Sequence, residues 1–190
     1  SDTFSARLAV RDYQEDGYIE NTAKNRDETI RDEQAIRLSL LWEPRDDMNF
    51  LLKVEHDEFN GEGRQIEIVQ DDPNLATGLV FAQYLGLFGY PNGVSDSELD
   101  FVRQADDDEF SHNELDNVTL TANIMFGDYT FTSITGLVSY EFTEECDCDY
   151  VAAPVFNVDI DEEYSQFSQE LRVISPLSDT FDWIGGFYFQ

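Results

Sequence analysis

Apolar residues return at every second position over several stretches of this chain. Phe4, Ala6, Leu8 and Val10 alternate with Ser5, Arg7, Ala9 and Arg11. Ile36, Leu38, Leu40 and Trp42 alternate with Arg37 and Ser39, and Phe50, Leu52 and Val54 with Asn49, Lys53 and Glu55. Val118, Leu120, Ala122, Ile124 and Phe126 oppose Asn117, Thr119, Thr121 and Asn123. Near the C-terminal end, Phe167, Leu171 and Val173 share a face against Ser168, Glu170 and Arg172; Phe181, Trp183, Phe187 and Phe189 share another. A period of two is the period of a strand. The pattern predicts seven strands, at about 3–13, 34–43, 49–58, 115–126, 129–142, 164–175 and 181–190. In the fifth, Ile134, Val138, Tyr140 and Phe142 make the apolar face.

The connections predicted between these strands are about 20, 5, 56, 2, 21 and 5 residues long. Long and short alternate, so an up-and-down meander collects every long loop at one end and every short turn at the other. Short turns at one end and long external loops at the other belong to outer-membrane barrels. Pro44–Asp47 reads as a turn, and Gly127-Asp128 as a two-residue hairpin connection. In the longest connection, Leu75/Leu79 and Val80/Tyr84 are spaced for a short helix, and Pro91–Gly93 reads as a turn. Ser95 with Glu98 forms a capping-box pattern for a second helix, to about Ala105.

Aromatic positions agree with two interfacial girdles. Trp42 and Phe50 flank one short turn, Phe126 and Tyr129 the next, and Phe181 and Trp183 follow the third. Tyr13, Phe59, Phe142 and Tyr164 stand near the long-loop ends. Rings that are apolar in body and polar at the tip suit both edges of a bilayer. No run of about 18 apolar residues exists, so no spanning helix is predicted. The chain opens directly in a strand pattern without a signal peptide, which reads as a mature or excised piece.

Charge narrows the partners. The 190 residues carry 41 acids against 11 bases, a formal net charge of -30, which repels nucleic acid. Nine acids fall in 95–116 with Arg103 as the only base, and nine more in 141–163 with no Lys or Arg; both stretches are predicted to be solvated loops. Such runs suit divalent cations or bridging to lipopolysaccharide phosphates, although neither has the spacing of an EF-hand. Bases on the polar faces, among them Arg7, Arg11, Lys53 and Arg172, could still guide an anion.

Candidate chemistry is sparse. Cys146 and Cys148 are separated by one residue, too close for an ordinary structural disulfide, and are predicted to be exposed loop thiols. His56 and His112 are the only histidines, and neither stands in a nucleophile or metalloprotease motif. The expectation is a protein that is not an enzyme and has no cofactor or dedicated metal centre. For ligand capture, the aromatic residues Tyr84, Phe88 and Tyr90, beside glycines in the longest loop, are the candidates; the alternative is that they form that loop's own small core.

FSQELRVISP followed by FDWIGGFYF resembles a hairpin of TonB-dependent outer-membrane receptors, and RLSLLWEPRDDMNFLLKVEH resembles the strand-turn-strand units of the same barrels. DGYIENT and FTSITGLVSYEF are similar to the family in the same way. The resemblance implies a 22-stranded barrel closed by a plug. Residues 1–190 would then be a partial all-β barrel: an antiparallel up-and-down meander of about seven strands from a larger transmembrane β-barrel, with long extracellular loops and no plug domain. It implies import of a scarce nutrient, most often a ferric siderophore or similar iron complex, with TonB acting through the plug and outer-membrane lipid and lipopolysaccharide around the wall. A second reading is a secreted acidic all-β binding domain, calcium-dependent and carbohydrate-binding. The two differ at Leu38, Leu52, Leu120 and Leu171, which stay exposed in a barrel wall and become buried in a soluble domain.

Overall fold

The computed structural model describes residues 3–72, 76–90 and 99–190. Seven strands form one antiparallel sheet. They are β1 (Phe4–Glu15), β4 (Ile30–Arg45), β5 (Met48–Glu62), β7 (Phe110–Phe126), β8 (Tyr129–Asp147), β9 (Asn157–Ile174) and β10 (Ile184–Phe189), hydrogen-bonded in that order. Each strand pairs with the next long strand in the chain, so the sheet is a meander with β1 and β10 at its edges. A second, three-stranded sheet is built from the long connections: β3 (Arg26–Glu28), β2 (Ile19–Asn21) and β6 (Val102–Arg103). One short helix, α1 (Phe81–Leu87), lies in the longest connection.

Short turns fix the register. Gly127, at φ 59°, opens the connection from β7 to β8 and leaves Phe126 opposite Tyr129. A left-handed first position is one that a glycine takes without steric cost. From there the ladder runs without a shift to Phe110 opposite Glu145. Directly opposed residues point to the same face. One row is therefore Leu8, Leu38, Val54, Val118, Leu137 and Phe167, crossing six strands. The next row toward the short turns is Ala6, Leu40, Leu52, Leu120, Thr135, Gln169 and Phe189. On the opposite face the row between these two is Arg7, Ser39, Lys53, Thr119, Gly136 and Ser168.

The apolar face is not covered. Leu8 is 63% exposed, Leu38 38%, Leu120 42%, Leu137 51% and Leu171 38%, with Leu52 half-buried. Among the described residues, the buried apolar side chains are Ile19, Leu85, Ala105, Cys146, Val151 and Ala153, all at the long-loop end. A soluble domain buries its apolar stripe against a second layer; this sheet leaves it open, as expected for a barrel wall.

Four expectations need correction. First, the strands outrun the apolar pattern. Residues 110–114, 143–147 and 157–163, predicted to lie in acidic loops, belong to β7, β8 and β9. Beyond the apolar rows the same face carries Asp12, Gln34, Glu58, Glu114, Glu141 and Glu163 in one row. With water on both faces the alternation disappears, yet the backbone ladder continues. The predicted loop at 14–33 likewise contains β2, β3 and the start of β4.

Second, Ile134, Val138, Tyr140 and Phe142 of β8 lie on the polar face, opposite Thr121, Asn117, Leu115 and Asn113. Phe131, Ser133, Thr135 and Leu137 share the face of Leu120 and Val118. The tight turn sets this phase, overriding an ambiguous hydrophobic pattern. Third, the same parity puts Tyr13, Phe59 and Phe142 in one row of the polar face, with Tyr164 one row away on that face. They are not part of an outward girdle, whereas Trp42, Phe50, Tyr129 and Trp183 at the short-turn end do share the apolar face. There Trp42 stacks on Phe50 at 5.2 Å between ring centroids, and Tyr129 meets Trp183 at 6.3 Å.

Fourth, the second predicted helix is not formed over 99–105, where β6 runs instead; its Ser95/Glu98 cap and the 91–93 turn lie outside the described residues. The first predicted helix is formed in part, as α1, with Tyr84 inside it and Val80 at its N-cap; Leu79 precedes it outside the helix, and Leu75 lies outside the described residues.

β10 is held only by β9, and its close approach needs glycine at one position. A Cβ on Gly186 would stand 2.6 Å from Leu171 O, whereas one on Gly185 would meet nothing nearer than 3.4 Å. Gly186→Val is expected to cost about 1–3 kcal/mol of edge pairing and Gly185→Val much less. Hydrogen exchange over 184–189 checks this: faster exchange in the first variant alone is the expected result.

Candidate functional site

The chemistry gathers at the long-loop end. There β2 pairs with β3 as a hairpin and with β6 in parallel, Glu20 opposite Val102 and Asn21 opposite Arg103. Asn21 is fully buried; its Nδ2 donates to Glu28 Oε1 at 2.9 Å and to Ala105 O at 3.1 Å. Arg103, 1% exposed, lies between two buried acids, with Nη1 2.6 Å from Glu109 and 3.4 Å from Glu28. Nη1 also donates to Arg64 O at 3.0 Å. Burial raises the Glu109 carboxyl above its usual range, and Arg103 and Arg64 pull it back. At the rim, Lys24 and Arg26 reach Asp108 at 2.7 and 3.0 Å and hold its carboxyl below the usual range, Lys24 most strongly. Arg64 pairs with Glu144 of β8. The network fastens both ends of the longest connection to the first one and to the sheet.

On the other side of this unit stands α1. Asp71 accepts the N–H groups of Phe81 and Ala82 at 2.7 and 2.9 Å, supplying acceptors for the first turn. Leu85 turns inward against Val151 and Ala153 of the β8–β9 loop, with Ile68 and Phe81 beside them. Tyr84 and Phe88 face away from that cluster, their rings 5.1 Å apart, and Phe88 is 65% exposed. Tyr90, also exposed, closes the helix by donating its N–H to Leu85 O at 3.1 Å. The structure thus brings Tyr84 and Phe88 together as an outward aromatic pair with Tyr90 next in the chain. The small core of this loop is made by Leu85, Val151, Ala153, Ile68 and Phe81 instead.

The polar face adds a second aromatic set at the same end. Tyr140 stacks near Phe142 at 6.3 Å, its hydroxyl donating to Asn113 Oδ1 at 2.9 Å, and Tyr164 lies opposite Tyr140. Arg11 lies over the Tyr13 ring at 5.4 Å and pairs with Glu33 at 2.7 Å. Deeper on this face are Arg37 paired with Glu55, then Lys53, and Arg172 with Glu170 at 3.2 Å. A cleft of about 250 Å³, lined by Thr29, Arg31, Phe59, Gly61, Gly63 and Ile66 among others, opens where the longest connection leaves β5. Sequence reasoning missed this aromatic row because it assigned its members to the opposite face. Counting parity from the Gly127-Asp128 turn finds it.

Among the described residues, the histidines' side-chain partners are acids and an amide. His56 Nδ1 lies 2.9 Å from Asp116 and 4.0 Å from Glu114, at the margin of the apolar face, and His112 Nδ1 lies 2.6 Å from Asn60 Oδ1. The cysteines are corrected: Cys146 and Cys148 form a disulfide, and Cys146 is fully buried. The chain turns at the end of β8 and brings their Cα atoms to 5.1 Å, inside the range a disulfide spans. Between them stands Asp147, fully buried and within 4.8 Å, ligand atom to ligand atom, of Asp106 and Asp149.

No family model matches the chain, and no curated protein does. Among solved structures, the chain is similar to the ferric yersiniabactin uptake receptor FyuA from Yersinia pestis, with a TM-score of 0.66 and 13% identity. The likeness covers 98% of this chain and 26% of that receptor, so this chain spans about a quarter of the receptor's length. At that identity the likeness is one of fold. The chain is an antiparallel up-and-down meander, a stretch of β-barrel wall with its long loops at one end.

The Arg103 network gives a stability test. Arg103→Met removes the cation that two buried carboxylates share, leaving Glu28 to Arg26 and Asn21 and Glu109 to Arg64 at 3.6 Å, and is expected to cost the loop unit about 3 kcal/mol. Limited proteolysis should then cut between 64 and 109 under conditions where the parent chain is protected. Equal resistance would mean the network does not hold the unit.

Proposed function

We propose that residues 1–190 are part of the wall and external loops of an outer-membrane, TonB-dependent transporter that imports a scarce nutrient in the chemical class of ferric siderophores and similar iron complexes. The observation that carries this reading is the uncovered apolar face. On β5 it runs from Met48 to Val54 and ends at His56, with acids following. That is about nine residues, the length a tilted strand needs to cross the hydrocarbon layer. The opposite face over the same rows is mostly polar, with Arg7, Arg37, Asn49, Lys53, Glu55, Asn117, Thr119 and Asn123, interrupted by Leu41 and Leu51, and is suited to a watery lumen. The fold likeness to an iron-complex uptake receptor supports the choice of ligand class.

Ligand capture belongs to the long-loop end under this reading. Tyr84, Phe88 and Tyr90 offer exposed rings on the outside, and Tyr13, Tyr140, Phe142 and Tyr164 line the lumen side of the mouth. Flat aromatic faces bury the organic shell of a metal complex, while Arg11, Arg37, Lys53 and Arg172 offer cationic points farther in. The net charge of -30 disfavours a bare anion at the rim, so a neutral or shielded complex fits better. Transport itself needs the plug and TonB, which act through other parts of the assembled receptor.

In the full-length parent, Leu120→Arg places a charge in the lipid-facing row at about 2–4 kcal/mol, whereas Thr119→Arg places it in the lumen. Loss of the heat-modifiable, membrane-inserted form in the first variant and its retention in the second is the expected outcome. Insertion of both would overturn the lipid-facing assignment. For the ligand, the Tyr84→Ala, Phe88→Ala, Tyr90→Ala triple variant should insert normally and lower iron-complex uptake by about ten-fold, as loss of a few anchoring rings does at other interfaces. Unchanged uptake would remove these three residues from the site.

A further inference from the structure

We propose that Asp106, Asp147 and Asp149 form a binding site for a hard divalent cation, with Ca²⁺ the best-fitting class, which locks the external loop unit to the end of β8. Three carboxylates come within 4.8 Å of one another, and Asp147 at their centre is fully buried. Its Oδ2 accepts the N–H of Asp106 at 2.8 Å and of Asp107 at 3.4 Å. Its Oδ1 is buried and has no hydrogen-bond partner among the described residues. A carboxylate oxygen removed from water without a partner is costly, and a cation held between the three acids resolves that cost. Burial, and then the charge of Asp149, pushes the Asp147 carboxyl up to about 6. Asp106 is raised by the same two causes in the same order.

The chemistry of the donors selects the ion. The flanking cysteines are joined to each other, which removes thiolate ligands. No imidazole belongs to the cluster. An all-oxygen donor set takes Ca²⁺ or Mg²⁺, and a set drawn from two chain segments, at 106 and at 147–149, suits the irregular, flexible shell of Ca²⁺ better than the strict octahedron of Mg²⁺. Asp149 is pre-set for this role. Its Oδ1 accepts the N–H of Val151 at 3.0 Å, and its Oδ2 those of Val155 and Phe156 at 3.1 and 2.7 Å. It therefore orders the loop that carries Val151 and Ala153 into the core under α1. Asp106 stands three residues after Arg103, on the limb that returns to the sheet. A bound ion would join β8, the β8–β9 loop and the longest connection at one point. From Leu137, in the outermost leucine row of β8, to Asp147 is ten residues, roughly 34 Å along the strand, so the site lies well outside the apolar rows.

This inference does not depend on the transporter reading, and its test uses the purified protein at constant ionic strength. Calorimetric titration with Ca²⁺ is expected to show one saturable site, and limited proteolysis over 99–110 and 147–157 to slow when Ca²⁺ is present. Asp147→Asn keeps an acceptor for the Asp106 N–H and is expected to weaken Ca²⁺ binding about ten-fold or more, while Asp159→Asn, on exposed β9, leaves it unchanged. If Asp147→Asn fails to fold, Asp106→Asn, an exposed position, should show the same loss. At pH 5 the proton competes for Asp147, with Asp106, Asp107 and Asp149 the acids around it, so Ca²⁺ should bind more weakly than at pH 7.5. Non-saturable uptake in the parent, or equal affinity in the parent and in whichever variant folds, would overturn the proposal.

Discussion

A sheet with one uncovered apolar face depends on its backbone ladder. β4, β5, β7, β8 and β9 are each bonded along both edges, and the register runs unbroken for seventeen residues between β7 and β8 and eighteen between β8 and β9. In hydrocarbon no water is present to satisfy an N–H or C=O, so every such group must find its partner within the sheet. Only a complete ladder makes it affordable to turn Leu8, Leu38, Val54, Leu137 and Phe167 outward. The side chains then need no core of their own, which is why the buried residues of this chain lie elsewhere. Among the described residues β1 and β10 are the strands whose outer edges have no partner strand.

The ladder also explains the reach of the strands. β8 and β9 continue for about ten residues past the last leucine row, into a region where both faces carry acids. Hydrogen bonds can extend a hairpin into water, but hydrophobic burial cannot hold it there. The anchors beyond the apolar rows are of a different kind: Arg103 between Glu28 and Glu109, Arg64 on Glu144, and the small cluster of Leu85, Val151 and Ala153. Buried ion pairs contribute little net stability but make the alternatives costly. With so few bases in the chain, placing Lys24, Arg26, Arg64 and Arg103 together decides which acids may approach one another and which must be held by other means.

Much of the wall was legible in the sequence because the wall is where one physical rule acts alone. Over residues 4–10, 36–42, 50–54 and 118–126, alternation between lipid-suited and water-suited side chains follows directly from the pleat, and short turns at Pro44–Asp47 and Gly127-Asp128 carry their own signals. Legibility fails where that rule stops. Past Val54 or Leu137 both faces meet water, so strand and loop have the same composition, and residues 143–147 and 157–163 read as loop. Facing in β8 departs from the pattern for a related reason: Ile134, Val138, Tyr140 and Phe142 are as apolar as the uncovered face but lie on the polar one, where aromatic rings gather at the long-loop end. Alternation within one strand does not contain that fact; the two-residue turn before it does. The external site was the least legible part. Arg103 looked like a stray base in an acidic run, and its two partners lie 75 residues upstream and six downstream. α1 was visible from its own spacing, yet nothing local distinguishes Leu85, which is buried, from Tyr84, which is not.

The Cys146–Asp147–Cys148 segment shows how a pattern can mislead when each residue is read singly. Spacing alone argues against a disulfide, and an Asp between two cysteines in an acidic run looks like one more solvated charge. In the fold, β8 ends at that point, the turn shortens the Cα separation, and the bridge closes over a side chain driven fully inside. A disulfide of this length constrains little of the unfolded chain, since loop-closure entropy grows with the length of the loop. Its effect is therefore local: it limits how the backbone on either side of Asp147 can relax. A buried carboxylate with one oxygen satisfied and the other not would normally move outward to water. Held between bridged neighbours, and with Asp106 and Asp149 converging on it, it has no short path outward, and the charge must be met where it stands.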